Sequence, residues 1–263
     1  MLLALGQMDV AWLDRAANLD RIGRIAQEAA GAGAGVLILP EMCTTGFSMD
    51  AGAAAEDVDA LVLPEPPGET GAVLATHARA HGIALIAGVA LRVKHEPMGR
   101  NVALAIDARG ALRAAYTKLH PFTYAGEHEH YLPGEGAQTF AMGPVQVAPF
   151  ICYDLRFPEV FRAVAPEVEL IAVIANWPAS RARHWRALLQ ARAIENQCYV
   201  AGVNRVGTDG AGIAYAGGSV VFGPMGEVVA EMGGEAGVGL AEIDPAEVAR
   251  VREKFPFLGD RRF

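Results

Sequence analysis

Along the chain, short apolar runs alternate with stretches whose apolar residues recur at helical spacing. The run over residues 2–8 predicts a strand. Residues 18–30 predict a helix with Leu19, Ile22, Ile25, Ala26 and Ala29 on one face. Residues 35–40 are almost wholly apolar, the pattern of a strand covered on both faces. Residues 70–81 predict a helix with Val73, Leu74, His77 and Ala78 on one face, stopped by Gly82, which suits a left-handed C-cap. Strands over 83–93, 100–107 and 111–118 follow, the last two joined by the turn Asp107-Ala108-Arg109-Gly110.

The second half repeats this rhythm. Strands are expected over 145–152, 170–176, 198–205, 218–222 and 227–232, with helices over 158–165 and 181–197. The second of these helices aligns Trp185, Leu188, Leu189 and Arg192, and Gly223-Pro224-Met225-Gly226 forms the turn of the final hairpin. Each half therefore reads strand, helix, strand, then a two-strand hairpin. The pattern predicts an α/β fold of two related sheets packed face to face with helices outside, a four-layer αββα sandwich. A strand over 237–243 and a short helix over 245–252 end the pattern. No Ser- or Pro-rich linker divides the chain, so a single domain over 1–263 is expected.

Composition narrows the classes. Hydrophobic residues make up 52% of the 263 positions and charged residues 20%, enough to bury a large core and too apolar for a disordered chain. Lys+Arg is 22 against 30 Asp+Glu, a net charge of −8 with no basic block, which argues against nucleic acid or an anionic membrane surface as partner. No apolar run approaches the roughly 20 residues of a membrane helix, and the first six residues lack the basic region of a signal peptide. Three cysteines, Cys43, Cys152 and Cys198, are too few and odd in number for a disulfide scaffold. A cytoplasmic protein is expected.

Candidate chemistry sits where buried strands stop. One apolar run ends at Glu41, another at Lys118 and a third at Cys152. Strand ends along one edge are where open α/β sheets place their sites. A carboxylate, an ammonium and a thiol brought together make a workable nucleophile arrangement without histidine. The thiol precedes a helix beginning near 156–158, and that dipole together with Lys118 is expected to favour thiolate. Taken singly, Cys152 also reads as a small buried hydrophobe, Glu41 as a helix cap or surface acid, and Lys118 as an exposed strand end. His120, His128 and His130 offer a metal cluster as a second reading, although their spacing lacks the other ligands of zinc sites.

These residues carry a resemblance. Cys152-Tyr153-Asp154-Leu155-Arg156-Phe157-Pro158-Glu159 resembles the nucleophile motif of the nitrilase, or carbon–nitrogen hydrolase, superfamily. Residues 35–41 (G-V-L-I-L-P-E) resemble its general-base motif, and Tyr116-Thr117-Lys118-Leu119-His120 its lysine motif, in the same chain order. The resemblance implies the αββα sandwich. It also implies Glu41 as base, Lys118 as oxyanion stabiliser, Cys152 as nucleophile and Glu127 as a second glutamate supporting the lysine and substrate. Asn176-Trp177-Pro178, the stretches 191–197 and 204–207, and Arg252-Glu253-Lys254-Phe255-Pro256 are similar to the bacterial omega-amidases, the branch that hydrolyses 2-oxoglutaramate. Tyr153-Asp154 stands where true nitrilases carry Trp-Glu, which disfavours nitrile hydrolysis. Relatives acting on deaminated glutathione share the C-Y-D-x-R-F pattern.

The implied reaction is thiol amidohydrolysis of a small dicarboxylic-acid monoamide, with no metal and no organic cofactor. The Tyr153 backbone N–H would complete the oxyanion site. Such a substrate needs a cation for its far carboxylate, for which Arg156, Arg181, Arg183 and Arg205 are candidates. Phe47, Phe122, Tyr124 and Trp177 would wall the pocket. Two readings from other classes stand beside this one: a histidine metal hydrolase, and a non-catalytic binding protein on a hydrolase fold. The apolar tail, about 245–263 with Phe255, Phe257, Leu258 and Phe263, has no partner element left in the chain. It is expected at the two-fold interface of a homodimer.

Overall fold

A computed structural model describes residues 1–262. In chain order the elements are β1 (Leu2–Gln7), α1 (Arg15–Gly31), β2 (Val36–Ile38), α2 (Ala51–Ala54), β3 (Glu56–Val58), α3 (Gly68–His81), β4 (Ala84–Val93), β5 (Arg100–Ile106), β6 (Leu112–Thr117) and β7 (Phe140–Met142). There follow β8 (Val145–Ile151), α4 (Pro158–Val164), β9 (Leu170–Ala175), α5 (Ala182–Asn196), β10 (Tyr199–Asn204), β11 (Val206–Thr208), β12 (Ala214–Ala216), β13 (Val220–Phe222), β14 (Val228–Glu231), β15 (Gly237–Glu242) and α6 (Pro245–Lys254). Local chemistry fixes the helix ends. Asp14 caps α1 through Ala17 N–H, Asp244 caps α6 with Pro245 in its first turn, and Gly82 closes α3 at φ +62°.

The first sheet runs β15-β1-β2-β4-β5-β6, with β3 added beside the end of β4; the second runs β14-β13-β10-β9-β8-β7. In each, three parallel strands (β1, β2, β4 and β8, β9, β10) pass into two antiparallel ones, so the two halves share a topology. Alternation along the first sheet explains the layers. Leu3, Leu5, Val36, Ile38, Ala84 and Ile86 face the second sheet, while Ala4, Leu37, Leu39, Leu85 and Ala87 face Ile22, Ala26, Leu74 and Ala78 of α1 and α3. Trp185, Leu189 and Phe161 cover the far side of the second sheet from α5 and α4. Four layers result, as the sequence pattern predicts.

The ends of the chain depart from that pattern. β15 does not extend the second half but returns to pair antiparallel with β1, from Leu2↔Glu242 to Gln7↔Gly237. The tail, read from sequence as lacking a partner in its own chain, is anchored on it. Arg252 donates to the carbonyls of Ala165, Val168, Asn196 and Gln197, Gln197 Nε2 donates to Phe255 O, and Arg261 donates to Arg162 O. The guanidinium caps the orphan carbonyls that end α4 and α5. Phe263 lies outside the described residues.

Candidate active site

One edge of the sandwich collects a polar side chain from each strand end. Glu41 lies three residues past β2, and Lys118 immediately follows β6. Asn101 is the second residue of β5, where its carbonyl accepts Lys118 N–H at 2.9 Å. From the second sheet come Cys152, just past β8, and Asn176, just past β9. Glu127 opens the 3-10 turn Glu127–Glu129. The Glu41 segment is pressed onto β4: a Cβ on Gly88 would stand 2.5 Å from Glu41 Cα, so the approach requires glycine.

These side chains share hydrogen bonds. Lys118 Nζ donates to Glu41 Oε1 at 2.8 Å and to Glu127 Oε2 at 2.8 Å. Asn101 Nδ2 donates to Glu41 Oε1 at 2.7 Å and to Glu127 Oε1 at 2.9 Å. Glu41 Oε2 accepts Asn176 N–H at 2.9 Å, and Asn176 Nδ2 donates to the Glu41 carbonyl at 2.7 Å. Glu127 Oε2 accepts Phe122 N–H at 2.6 Å. Glu41, Lys118, Asn101 and Glu127 are all essentially closed to solvent.

Burial alone would push the Glu41 carboxyl up. The Lys118 ammonium beside it, with the hydrogen bonds from Lys118, Asn176 and Asn101, instead holds it below the usual carboxylate range. Burial also dominates at Glu127 and there prevails, the Glu41 charge adding to it, so Glu127 is pushed up. Lys118 is held protonated: the charges of Glu127 and Glu41 outweigh the burial that would discharge it. Ammonium and ionised Glu41 are thus both present near neutral pH.

Cys152 corrects an expectation. Its thiol is pushed well above the ordinary value, first by burial and then by the Glu41 charge, and Lys118 offsets only part of this. α4 starts at Pro158, as the sequence predicts, with the 3-10 turn Cys152–Arg156 between it and the thiol. Its dipole and Lys118 do not outweigh burial and the Glu41 charge. The resting nucleophile is a thiol beside an ionised carboxylate. Its Sγ lies 3.9 Å from Asn176 O.

Cys152 itself adopts φ +47°, a left-handed conformation uncommon for a residue with a side chain. Asp154, fully buried, holds the turn. Its Oδ2 accepts Ile151 N–H at 3.0 Å and Tyr116 O–H at 2.8 Å, and its Oδ1 accepts His120 N–H at 2.9 Å and meets His120 Nδ1 at 2.8 Å. This carboxylate therefore ties the nucleophile turn to the segment carrying Lys118. In the sequence Asp154 stood only as part of the nucleophile motif and its turn-holding role went unread, although an Asp three residues past a strand end is a recognisable turn former.

Above the thiol opens a cleft of about 360 Å³, lined by Phe47, Phe122, Tyr124, Cys152, Tyr153, Arg156, Asn176, Trp177, Arg181 and Tyr215 among others. Tyr153, Arg156, Phe122, Asn176 and Trp177, substrate-binding candidates from the sequence, are all on this lining. Arg156 stacks over Trp177 at 4.9 Å and Arg181 over Phe122 at 5.6 Å. Among the described residues neither guanidinium has a carboxylate partner, while Arg92, Arg100 and Arg250 elsewhere all do. The other two arginine candidates fall away. Arg183 is exposed and outside the lining, and Arg205 is buried beneath Tyr215, bonded to Asp9, Val10 O and Val206 O.

The histidines do not converge. His120 pairs with Asp154 and stacks on Phe157 at 3.8 Å, while His128 is half-exposed beside Glu129. Among the described residues no three His, Cys, Asp or Glu side chains are placed to share a metal ion. Also missed in the sequence were Asn101, whose only signal is one amide in the apolar run N-V-A-L-A-I, and Tyr215, placed over the cleft by the β11–β12 hairpin.

Comparison with known proteins gives this geometry relatives. The model of the carbon-nitrogen hydrolase family matches residues 2–253. The omega-amidase YafV of Escherichia coli (strain K12) is 39% identical over 256 residues, 97% of this chain and 94% of its own. The 2-oxoglutaramate amidase of Bacillus subtilis (strain 168) is 36% identical over 230 residues, 87% of this chain and 85% of its own. Among solved structures, a CN-hydrolase superfamily protein of Xanthomonas campestris with an arsenic adduct in its active site superposes with a TM-score of 0.91. It shares 36% identity, covering 100% of this chain and 97% of that one. A mutant of the amidase from Nesterenkonia sp. AN1, carrying acrylamide added at its active-site cysteine, gives a TM-score of 0.85 at 31% identity, covering 100% and 96%.

Proposed function

The chain belongs to the carbon–nitrogen hydrolase family and is a hydrolase of linear amides; on that premise we propose that it cleaves the terminal amide of a small dicarboxylic-acid monoamide such as 2-oxoglutaramate. The observation that carries the substrate reading is the cleft: a thiol at its floor, and Arg156 and Arg181 in its wall without carboxylate partners. An anion at the far end of a short amide would supply what these guanidinium groups lack. The volume, near the lower end of small-molecule sites, suits a substrate of that size.

In the proposed reaction Glu41 takes the Cys152 proton as sulfur attacks the amide carbon. Concerted transfer suits a thiol whose resting state is protonated beside an ionised carboxylate. Lys118 and the Tyr153 backbone N–H receive the oxyanion. Glu41 returns the proton to the nitrogen, the C–N bond breaks and ammonia leaves a thioester. Water then gives its proton to Glu41 and attacks the thioester carbon; the C–S bond breaks and sulfur regains the proton. Glu127 fixes Lys118 throughout.

The test is ammonia release from 2-oxoglutaramate, succinamate, glutamine, deaminated glutathione and a simple nitrile. The two carboxylate monoamides should lead, and Cys152→Ala should release nothing above background. Preference for glutamine, deaminated glutathione or the nitrile would overturn the substrate reading, and a substantially active Cys152→Ala would overturn the nucleophile.

We also propose a cytoplasmic homodimer. No helix among the described residues is long and apolar enough to cross a membrane. Near the C-terminal end of α5, Ile194 at 50% and Phe257 at 57% exposure leave apolar surface uncovered in the single chain. Light scattering should give twice the chain mass, and deletion of residues 254–263 should lower it. A full-length monomer at micromolar concentration would refute the dimer.

A further inference from the structure

Two buried carboxylates facing one ammonium make an unbalanced site. Were both ionised, Glu41 and Glu127 would set two negative charges against the single positive charge of Lys118. In a closed environment such a pair tends to retain a proton on one member unless neutral donors replace the water it has lost. Among the described residues only one neutral side chain reaches both carboxylates. Asn101 Nδ2 lies 2.7 Å from Glu41 Oε1 and 2.9 Å from Glu127 Oε1, bridging the two oxygens that Lys118 Nζ also contacts, at 2.8 and 3.1 Å.

The other end of the same amide shows what the residue is for. Asn101 Oδ1 is buried and has no hydrogen-bond partner among the described residues. An asparagine serving only to hold the fold would be placed to satisfy its acceptor, because an orphaned buried oxygen is costly. Turning the amide over would aim that oxygen at two carboxylates. The site accepts the orphan in order to keep both N–H groups directed at the charges.

We propose that Asn101 is a positioning residue for the hydrolysis, its bridging amide keeping Glu41 free of a proton so that it can act as base; this rests on the reading of Glu41 given above. Glu41 Oε1 then depends on Lys118 and Asn101 together, and Lys118 is left with hydrogens to share with Glu127 and the oxyanion. The groups facing this amide from the packed elements are Glu41 after β2, Lys118 after β6 and Glu127 in its 3-10 turn. Cys152 after β8 completes the polar edge, and Tyr131 also feels the two glutamates and Lys118.

Loss of the bridge removes one donor from each carboxylate, which favours their protonated forms and raises the pH at which Glu41 becomes a base. In Asn101→Ala the acid limb of the kcat/KM profile should move up by about one pH unit, with kcat/KM about ten-fold lower on the acid side of the limb and the deficit closing as pH rises past it. Asn101→Asp, nearly isosteric, sets a third carboxylate against the pair and should move the limb further. Asn101→Ser keeps one O–H donor and should recover part of the shift. Thermal unfolding of each variant identifies any that is unfolded, and the Ser and Asp variants carry the test if Ala fails to fold. A folded Asn101 variant whose limb stays in place, whether its rate is unchanged or falls equally at every pH, overturns the proposal. Glu41→Gln separates the two readings: if it hydrolyses amide at the wild-type rate, the base assignment fails, whatever the Asn101 variants do.

Discussion

On one side of the Cys152 sulfur lie Glu41, Lys118, Glu127 and Asn101, closed to solvent and locked by shared hydrogen bonds. On the other lie aromatic rings and two guanidinium groups stacked on them, Arg156 also reaching His184 Nδ1 at 3.4 Å, with Tyr124 at 87% exposure at the rim. The difference is physical. A buried charge cluster is satisfied in one geometry only, because each lost partner leaves a charge uncompensated in a medium that does not solvate it. Stacked rings and half-exposed arginines tolerate displacement, since water replaces whatever contact is lost. The polar floor is therefore suited to chemistry that must not vary, and the aromatic wall to recognition that can.

The largest effects should follow from breaking the floor. Glu41→Gln removes the proton acceptor, and Lys118→Met leaves the oxyanion and two carboxylates without their cation. Each should lower kcat by about a thousand-fold or more, the scale of a lost general base or oxyanion donor. Lys118→Met should also cost stability, because Glu41 and Glu127 stay buried without a counter-ion. Initial-rate ammonia release and thermal melting measure the two effects separately. A Lys118→Met enzyme within ten-fold of wild type would mean that the floor is only a structural ion cluster.

A smaller effect is expected at the joint between the two regions. In Asp154→Asn, one of the two carboxylate oxygens becomes an NH2 group facing donors, His120 N–H on one side or Ile151 N–H and Tyr116 O–H on the other. The left-handed Cys152 turn should loosen. A rate loss of about ten- to a hundred-fold is expected, from misplacement of the nucleophile by a fraction of an ångström. The melting point should fall by several degrees, about what an unsatisfied buried donor costs in a chain of this size. Circular dichroism melts and kcat on one substrate check both. An unchanged melting point would mean that the turn does not need this carboxylate.

How much of this was legible in the sequence follows the same division. Strand ends announce themselves, because a charged residue closing an apolar run breaks a pattern that physics otherwise enforces. Glu41 and Lys118 stood out for that reason, and Cys152 as a thiol closing such a run; the repeated strand, helix, strand, hairpin rhythm carried the layers. Asn101 did not stand out, because its importance lies in two partners 60 and 26 residues away along the chain. The return of β15 to β1 was hidden for a similar cause: a strand pattern shows that an edge is wanted but not which edge is vacant. The thiol was misread because a helix dipole and a lysine are visible in sequence, while the depth of its burial is not. The four candidate arginines looked alike as letters; only packing separates Arg205, buried under Tyr215, from Arg156 and Arg181 on the cleft.

The smallest expected effect is the sharpest probe of the wall. Arg156→Gln and Arg181→Gln keep much of the packing of the side chains and remove their charge. If these guanidinium groups hold the carboxylate at the far end of the amide, KM for 2-oxoglutaramate should rise by about ten-fold in each, the lower end of what one charge-assisted hydrogen bond contributes. kcat should change little, because the contact is made equally in ground and transition states. Hydrolysis of a neutral short amide should be unaffected, and its rate relative to the anionic substrate should increase. Measuring both substrates on both variants distinguishes recognition from damage. A fall in kcat on the neutral amide would show that the arginines support the Cys152 turn or Trp177 rather than the substrate. An unchanged KM in both single variants and in the double variant would leave the wall without an anion to bind, and the preference for a carboxylate monoamide would need another source.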